Sequence, residues 1–299
     1  MRILVLGCNG QLGRCLKDQL KDTKLEVIYT SRSQIDVTDI KNARLKITEK
    51  EPDVIINSTA YTNVDKAEED FLTANLVNHL AVENLANICS RLSCWLIHIS
   101  TDYVFDGNSK KPYVELDKTN PQSVYGTSKL KGELAVQASG CKYLILRTAW
   151  VYSEYENNFL KKMLQLGAVR DKLNIVGDQI GCPTYAQDLA KTIVIILKRL
   201  NNSLESGIFH YCGKDPCSWY EFAKVIFREA NLAGLKTRSS IHFIRSAAYP
   251  LAISRPLFSV LKCSKIKNIF DIDPSDWKLG VKKAISNYLS LTNIKNKSN

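Results

Sequence analysis

Histidine is scarce in this chain: His79, His98, His210 and His242 are its four, far apart among 299 residues. Nine cysteines include no CxxC pair, so neither a zinc-ligand cluster nor a disulfide framework is offered. Cysteines used this way are small buried hydrophobes of a reducing compartment, which places the protein in the cytoplasm. Any apolar run approaching the roughly 20 residues of a membrane span is also missing, and with it a membrane partner. The N-terminus, MRILVLGCNG, meets glycine too early for the apolar region of a secretory leader. Acidic residues fall short of basic ones, 30 against 41, for a formal charge of +11. The basic residues are dispersed, with only short clusters such as Lys110-Lys111, so the charge suits phosphorylated small molecules and not nucleic acid.

What the chain does have is rhythm. Arg2 to Leu6, Leu25 to Tyr29, Val54 to Asn57, Trp95 to Ile99 and Tyr143 to Arg147 are short apolar runs that read as buried strands. Amphipathic stretches such as Leu12 to Leu20 and Leu76 to Leu92 separate them. The alternation predicts an α/β fold, a parallel sheet covered by helices on both faces. Past Trp150 the rhythm loosens. Helices are expected over Phe159 to Gly167, Ala186 to Leu200 and Trp219 to Asn231, strands over Leu173 to Val176 and Ile208 to Tyr211, and an irregular segment from Tyr249 to Pro256.

The first strand runs directly into Gly7-Cys8-Asn9-Gly10-Gln11-Leu12-Gly13, a GxxGxxG that opens a helix. Glycines there allow a tight turn and close approach of a pyrophosphate, which the helix N-terminus attracts with its free N–H groups. The second strand ends not in an acid but in Thr30-Ser31-Arg32-Ser33. A guanidinium suits the 2′-phosphate of NADPH, with NADH as the second choice, unless Arg32 simply points into water.

Tyr125 and Lys129 stand one helical turn apart in VYGTSKLKGE. The pair alone could be an ordinary solvated helix face; with a dinucleotide loop upstream and Ser100-Thr101-Asp102 ending a strand, it reads as chemistry. Reducing a carbonyl leaves an alkoxide that needs a proton, and a free phenol has a pKa of ~10. An ammonium about 4 Å away at an effective dielectric near 20 contributes roughly 4 kcal/mol, which would bring Tyr125 towards neutrality. Thr101 is expected to hydrogen-bond the same substrate oxygen.

The glycine loop, the YxxxK helix and the preceding Ser/Thr resemble the extended short-chain dehydrogenase/reductase superfamily. Four longer blocks, Ala60-Tyr61-Thr62-Asn63-Val64-Asp65-Lys66-Ala67-Glu68, Ser100-Thr101-Asp102-Tyr103-Val104-Phe105, Arg147-Thr148-Ala149-Trp150-Val151-Tyr152 and Ser254-Arg255-Pro256, resemble its dTDP-4-dehydrorhamnose reductase family. The resemblance implies a Rossmann-type doubly wound parallel sheet over residues 1–152, to which strands near 173–176 and 208–211 return, and a smaller substrate-binding region over 153–299. It implies NADPH-dependent reduction of the C4 keto group of a dTDP-linked keto sugar, dTDP-4-dehydro-L-rhamnose, by Thr101, Tyr125 and Lys129. Gly10, Gln11 and Leu12 would meet the pyrophosphate, Asp36 and Val37 the adenine, and Ala60, Tyr61 and Thr62 the path to the nicotinamide.

Val64, Asp102, Tyr103 and Trp150 would line the sugar pocket. Asp36 has a second reading as the cap of a helix beginning near Asp39, and Trp150 as a core residue. Arg255 would hold a diphosphate or cover the surface. Some relatives join as dimers through Mg²⁺ held by glutamates; the matching positions here are Cys15 and Gln187, which are not hard carboxylate ligands, so a metal is not expected and the chain is a monomer or a homodimer. Dehydratase chemistry wants a second acid after Asp102, where Tyr103 stands. Two rival functions remain: a reductase of another nucleotide-linked 4-keto-6-deoxy sugar, and a non-catalytic NADP-binding regulatory subunit.

Overall fold

In the computed structural model, which describes residues 1–200, 204–249 and 255–297, the strand runs of the first half become one sheet. They are β1 (Arg2–Leu6), β2 (Glu26–Thr30), β3 (Val54–Asn57), β4 (Trp95–Thr101) and β5 (Lys142–Thr148), with helix α1 (Gln11–Leu20) after β1 and α2 (Ile40–Thr48) after β2. The order across the sheet is β2, β1, β3, β4, β5 and then the strand Gly207–His210, every neighbour parallel. Because the chain winds from β1 to one side and then returns to the other, the loops after β1 and β3 part, leaving the crevice where parallel sheets bind ligands.

Alternation along each strand explains the two-sided cover. Ile3, Val5, Ile56, Ile97 and Leu144 pack on one face against Leu16 of α1 and Leu189 and Ile193 of the helix Ala186–Arg199. Leu4, Leu6, Ile55, Leu96 and Ile145 pack on the other against Ile47 of α2 and Leu85 of the helix Ala81–Leu92. A third core gathers Tyr152, Leu160, Phe222, Ile226, Trp277 and Val281 from the second half.

Of the two strands expected to return to the main sheet, only Gly207–His210 does so, beside β5. Lys172–Val176 instead pairs with Ser240–Ile244 in a separate two-stranded parallel ribbon. Its burial says why: Leu173 and Ile175 enter the third core while Lys172 and Asn174 face water, the alternation of a strand covered on one side only. Ser240–Ile244 has no fully buried residue and was not among the strands expected, although its alternation of Ile241 and Phe243 with polar residues suits one. Residues 250–254 of the expected irregular segment lie outside the described residues.

One buried ion pair ties the helix Val124–Ala138 to the sheet. Arg147 of β5 donates to Glu133 from Nη2 at 2.7 Å and from Nε at 3.0 Å, with 3% and 0% of the two side chains exposed. The Ser100 hydroxyl of β4 donates to the same carboxylate. Removing one partner strands the other charge without water. Glu133→Gln should therefore cost about 3–5 kcal/mol in urea unfolding, while Glu133→Leu with Arg147→Met should recover most of that loss.

Candidate active site

The glycine loop is built as an anion cradle. Gly7 takes φ +79°, and a Cβ on Gly13 would lie 2.3 Å from the Gly7 carbonyl oxygen, so the turn closes only with glycine at both. A Cβ on Gly10 would meet nothing closer than 3.5 Å; what a side chain there would fill is open space above the helix end. No side chain caps α1 and no acid occupies its first turn, so its N–H groups are left for an anion. These features fit a dinucleotide pyrophosphate. Gln11 accepts from Ser153 and Asn158 at 2.8 and 3.0 Å and thereby locks the loop to the second half. Leu12 is buried in the core, which leaves its backbone alone to meet a ligand.

Gly7 and Cys8 both donate to the Thr30 carbonyl at 3.1 Å, bringing the end of β2 beside the loop. Arg32, 80% exposed, donates to Asp36 at 3.0 Å. Burial pushes the Asp36 carboxyl up, but bonds from Thr38 and Arg32 outweigh it and hold the group below the usual carboxylate range. Asp39, not Asp36, caps α2, accepting from the Asn42 N–H. Val37 is buried beside Ile35.

The loop after β3 is held by a residue that sequence reading passed over. Asn78 accepts from the Tyr61 N–H at 2.9 Å and donates to the Tyr61 carbonyl at 3.1 Å and to Ser128 at 3.0 Å. It sits in a π-helical turn, Leu76–Leu80, where a continuous helix was expected. Such turns widen a helix locally and frequently mark functional sites. Its only sequence signal is a polar residue at a helix position that should be apolar. Ala60 and Thr62 are exposed on either side of Tyr61, and Val64 is half-buried at the start of the short helix Val64–Ala67.

Small residues between Tyr125 and Lys129 have a steric cause. A Cβ on Gly126 would lie 2.3 Å from the Tyr103 carbonyl oxygen, so the helix can press against the turn after β4 only with glycine there. Ser123 caps the helix by accepting from the Gly126 N–H, and Glu68 accepts from the Val124 N–H at 2.8 Å. The contact sets the Tyr125 hydroxyl beside Thr101, near enough for Thr101 to oppose the rise of its pKa, and turns the Tyr125 ring edge-on to Tyr103 at 5.6 Å. Thr101 donates to Asp102 at 3.0 Å.

The expected Tyr125–Lys129 coupling is absent. Lys129 turns inward, donating to the Ile99 carbonyl at 2.6 Å and standing 3.3 Å from His98 Nε2. Burial pushes the Tyr125 phenol up to about 12, with the Thr101 bond opposing it, instead of bringing it near neutrality. Burial likewise lowers Lys129 to about 8, Glu133 opposing. The backbone carbonyl at the end of β4 competes for the ammonium at closer range than helix spacing alone predicts.

Trp150, in the left-handed region at φ +48°, stacks on Trp219 at 3.5 Å, and its indole fills the space over Gly181. Trp219 was not expected at the site. Arg255 donates to Asp65 at 2.7 Å, while its buried Nε finds no partner among the described residues. Ser254 of the same block lies outside those residues.

The sequence profile described as the RmlD substrate binding domain matches residues 1–290. A dTDP-4-dehydrorhamnose reductase of Sinorhizobium fredii is 40% identical over 289 residues, covering 95% of this chain and 97% of its own. The chain belongs to the dTDP-4-dehydrorhamnose reductase family. Two solved members carry the same fold. That of Clostridium acetobutylicum superposes with TM-score 0.89 at 40% identity, over 96% of this chain and 99% of its own. That of Bacillus anthracis, a complex with NADP, does so with 0.88 at 35% identity over 96% and 99%.

The residues do not fit the Mg²⁺ dimer site that the resemblance raised for some relatives. Cys15 is wholly buried on α1, where burial pushes its thiol up, and the Gln187 amide is spent on Asp18 at 2.6 Å and Glu154 at 3.2 Å. A cavity of about 690 Å³ bordered by Lys111, Asp117, Cys182, Lys214 and Lys262 is lined by none of Thr101, Tyr125 or Lys129.

Asp102 is 2% exposed, and burial pushes its carboxyl up to about 6 from 3.8. A carboxyl raised in the fold is destabilising once ionised, so stability falls as pH rises from about 4 to about 6 and stays reduced above. Asp102→Asn should be more stable than the parent at pH 7 by roughly 2–3 kcal/mol in urea unfolding, the gain vanishing below about pH 4.

Proposed function

We propose that this chain reduces the C4 keto group of dTDP-4-dehydro-L-rhamnose with NADPH, giving dTDP-L-rhamnose, and that Thr101, Tyr125 and Lys129 do the chemistry. One observation carries the assignment of residues: the Tyr125 phenol lies beside Thr101 where β4 ends, next to the crevice that the glycine loop opens. Family membership supports the reaction class, and an NADP complex of a relative supports the cofactor. Gly7, Gly10, Gln11 and Gly13 hold the pyrophosphate, with the Leu12 backbone; Asp36 and Val37 face the adenine; Ala60, Tyr61 and Thr62 line the way to the ring. Bound NADPH supplies the hydride.

Tyr125 supplies the proton to the sugar oxygen. A phenol held near 12 is fully protonated at neutral pH, the state a donor requires, and the alkoxide formed at C4 is a far stronger base than a phenolate. With substrate bound, the single Thr101 hydroxyl proton turns from Asp102 to the same oxygen and fixes the carbonyl as charge develops. Val64, Asp102, Tyr103 and Trp150 form the sugar pocket, and the unpartnered Nε of Arg255 favours a diphosphate contact over a surface role. Residues 153–299 supply most of the substrate side. On this reading the reaction runs in the cytoplasm, and nine cysteines that are all free thiols support it. The chain acts as a monomer or as a homodimer without a bridging metal.

Tyr125→Phe should lower turnover at least a thousandfold, measured as NADPH oxidation with freshly made dTDP-4-dehydro-L-rhamnose, while NADPH affinity changes less than twofold; unaltered turnover removes Tyr125 as the acid. Parent protein that binds NADPH but leaves this sugar untouched would shift the assignment to another nucleotide-linked 4-keto sugar or to the regulatory role. Arg32→Ala should weaken NADPH about tenfold and NADH less than twofold in fluorescence titration; equal losses would remove Arg32 from the 2′-phosphate.

A further inference from the structure

Trp150 holds an uncommon backbone conformation. A bulky side chain at φ +48° is an outlier that persists only where its surroundings over-determine it. Its ring contact is uncommon as well. The Trp150 and Trp219 rings lie 9° from parallel with centroids 3.5 Å apart, closer to a direct face-to-face sandwich than to the offset or edge-on pairs that aromatic rings prefer. Two unfavourable features at one residue mark a position that the fold imposes.

The second face of the indole is taken too. A Cβ built on Gly181 would lie 2.6 Å from Trp150 Cε2, 2.7 Å from Cζ2 and 2.9 Å from Nε1. Cε2 is set back behind the line joining the other two atoms, so an approach in the ring plane would meet it last. Meeting it first means that Gly181 lies over a face. It is the face away from Trp219, because a ring stacked at 3.5 Å leaves no room for backbone on its own side. The indole sits in a slot.

One short ribbon builds both walls. Cys217–Ser218 pairs antiparallel with Ile180–Gly181, and Trp219 follows directly. Ser218 and Glu221 cap the next helix reciprocally and so fix Trp219 as its first residue, while the Phe159 ring packs on Trp219 at 4.6 Å. The Trp150 carbonyl is held in turn by the Thr184 N–H at 3.2 Å. Trp150 is half-buried, so what the slot leaves open is the rim of its indole.

We propose that Trp219 is a positioning residue which, with Gly181, holds Trp150 so that it meets the sugar nucleotide with the rim of its indole and not with a face. This rests on placing Trp150 in the sugar pocket. The distinction is chemical. A face carries the negative part of the ring quadrupole and suits the C–H side of a sugar, whereas the rim, with its N–H, is positive and suits oxygen. The groups recognised are therefore hydroxyl or phosphate oxygens of the substrate.

The two ways of using Trp150 predict opposite signs for one variant. Trp219→Ala uncovers a face, so recognition by that face would hold or tighten binding of dTDP-L-rhamnose. With the rim in use, the freed indole loses its aim: Kd for dTDP-L-rhamnose should rise about tenfold while NADPH affinity changes less than twofold, and Trp219→Phe, which refills the slot with a flat ring, should return it to within about threefold of the parent. Equal or tighter binding in Trp219→Ala, or no rescue by phenylalanine, overturns the proposal. In the unsubstituted chain, nuclear Overhauser contacts from the Trp150 ring to the Trp219 ring and to the Gly181 Hα are expected both before and after dTDP-L-rhamnose is added. Absence of either set in the free protein, or loss of the Trp219 set on binding, overturns it as well. A parent that shows both sets but binds no dTDP-L-rhamnose faults the proposed substrate, and the slot, closing both faces to any ligand, stands. If the variants do not fold, the contacts in the parent still decide.

Discussion

The pair between Glu133 and Arg147 holds the working parts in register. Its energy is a balance of large desolvation against close charge-assisted bonds, and such a pair is kept more for what it fixes than for net stability. Glu133 lies one helical turn beyond Lys129, and Arg147 lies on β5 beside Ser100 of β4, which also bonds the carboxylate. Arg147 is further covered by the ring of Phe105, 5.1 Å away. One carboxylate therefore aligns the helix bearing Tyr125 and Lys129 with the two strands whose ends carry Thr101 and Trp150.

Close approach of backbones completes the register. Gly126 lets the helix meet the Tyr103 carbonyl, and Gly132 lets it meet Asn78, whose carbonyl oxygen would lie 2.2 Å from a Cβ. Asn78 then bonds both the Tyr61 backbone and Ser128, so the loop after β3 is fastened to the helix Val124–Ala138. Both ends of the site are fastened in the same way: Gln11 joins the glycine loop to Ser153 and Asn158, and Arg255 reaches Asp65 across 190 residues of sequence. Rigid support of this kind is what an acid and a hydrogen-bond donor acting on one oxygen demand.

The electrostatics of the buried groups suit a proton donor. Burial raises Tyr125 and Asp102 and lowers Lys129, so each of the three is driven towards its neutral form. A Tyr125 phenol that stays protonated leaves the developing alkoxide as the base that takes its proton. The cost is carried by the fold, which bears a buried carboxyl it would be more stable without.

Local patterns determined much of this protein. Alternating apolar runs specified the parallel sheet, because strands buried on both faces must be apolar on both; GxxGxxG specified the cradle, because only glycine fits the turn at Gly7 and the contact at Gly13. The blocks around Tyr61, Thr101, Trp150 and Arg255 specified the family. Tertiary structure alone decided the partners. Helix spacing brought Tyr125 and Lys129 within reach, yet the Ile99 carbonyl and His98, from another strand, took the amine. Asn78, Trp219 and His98 entered the site from segments with no motif, and Lys172–Val176 left the main sheet for a ribbon with Ser240–Ile244, a strand that was not expected. Periodicity records which face of a segment is buried; it does not record what is buried against it, and hydrogen bonds and proton positions depend on that second fact.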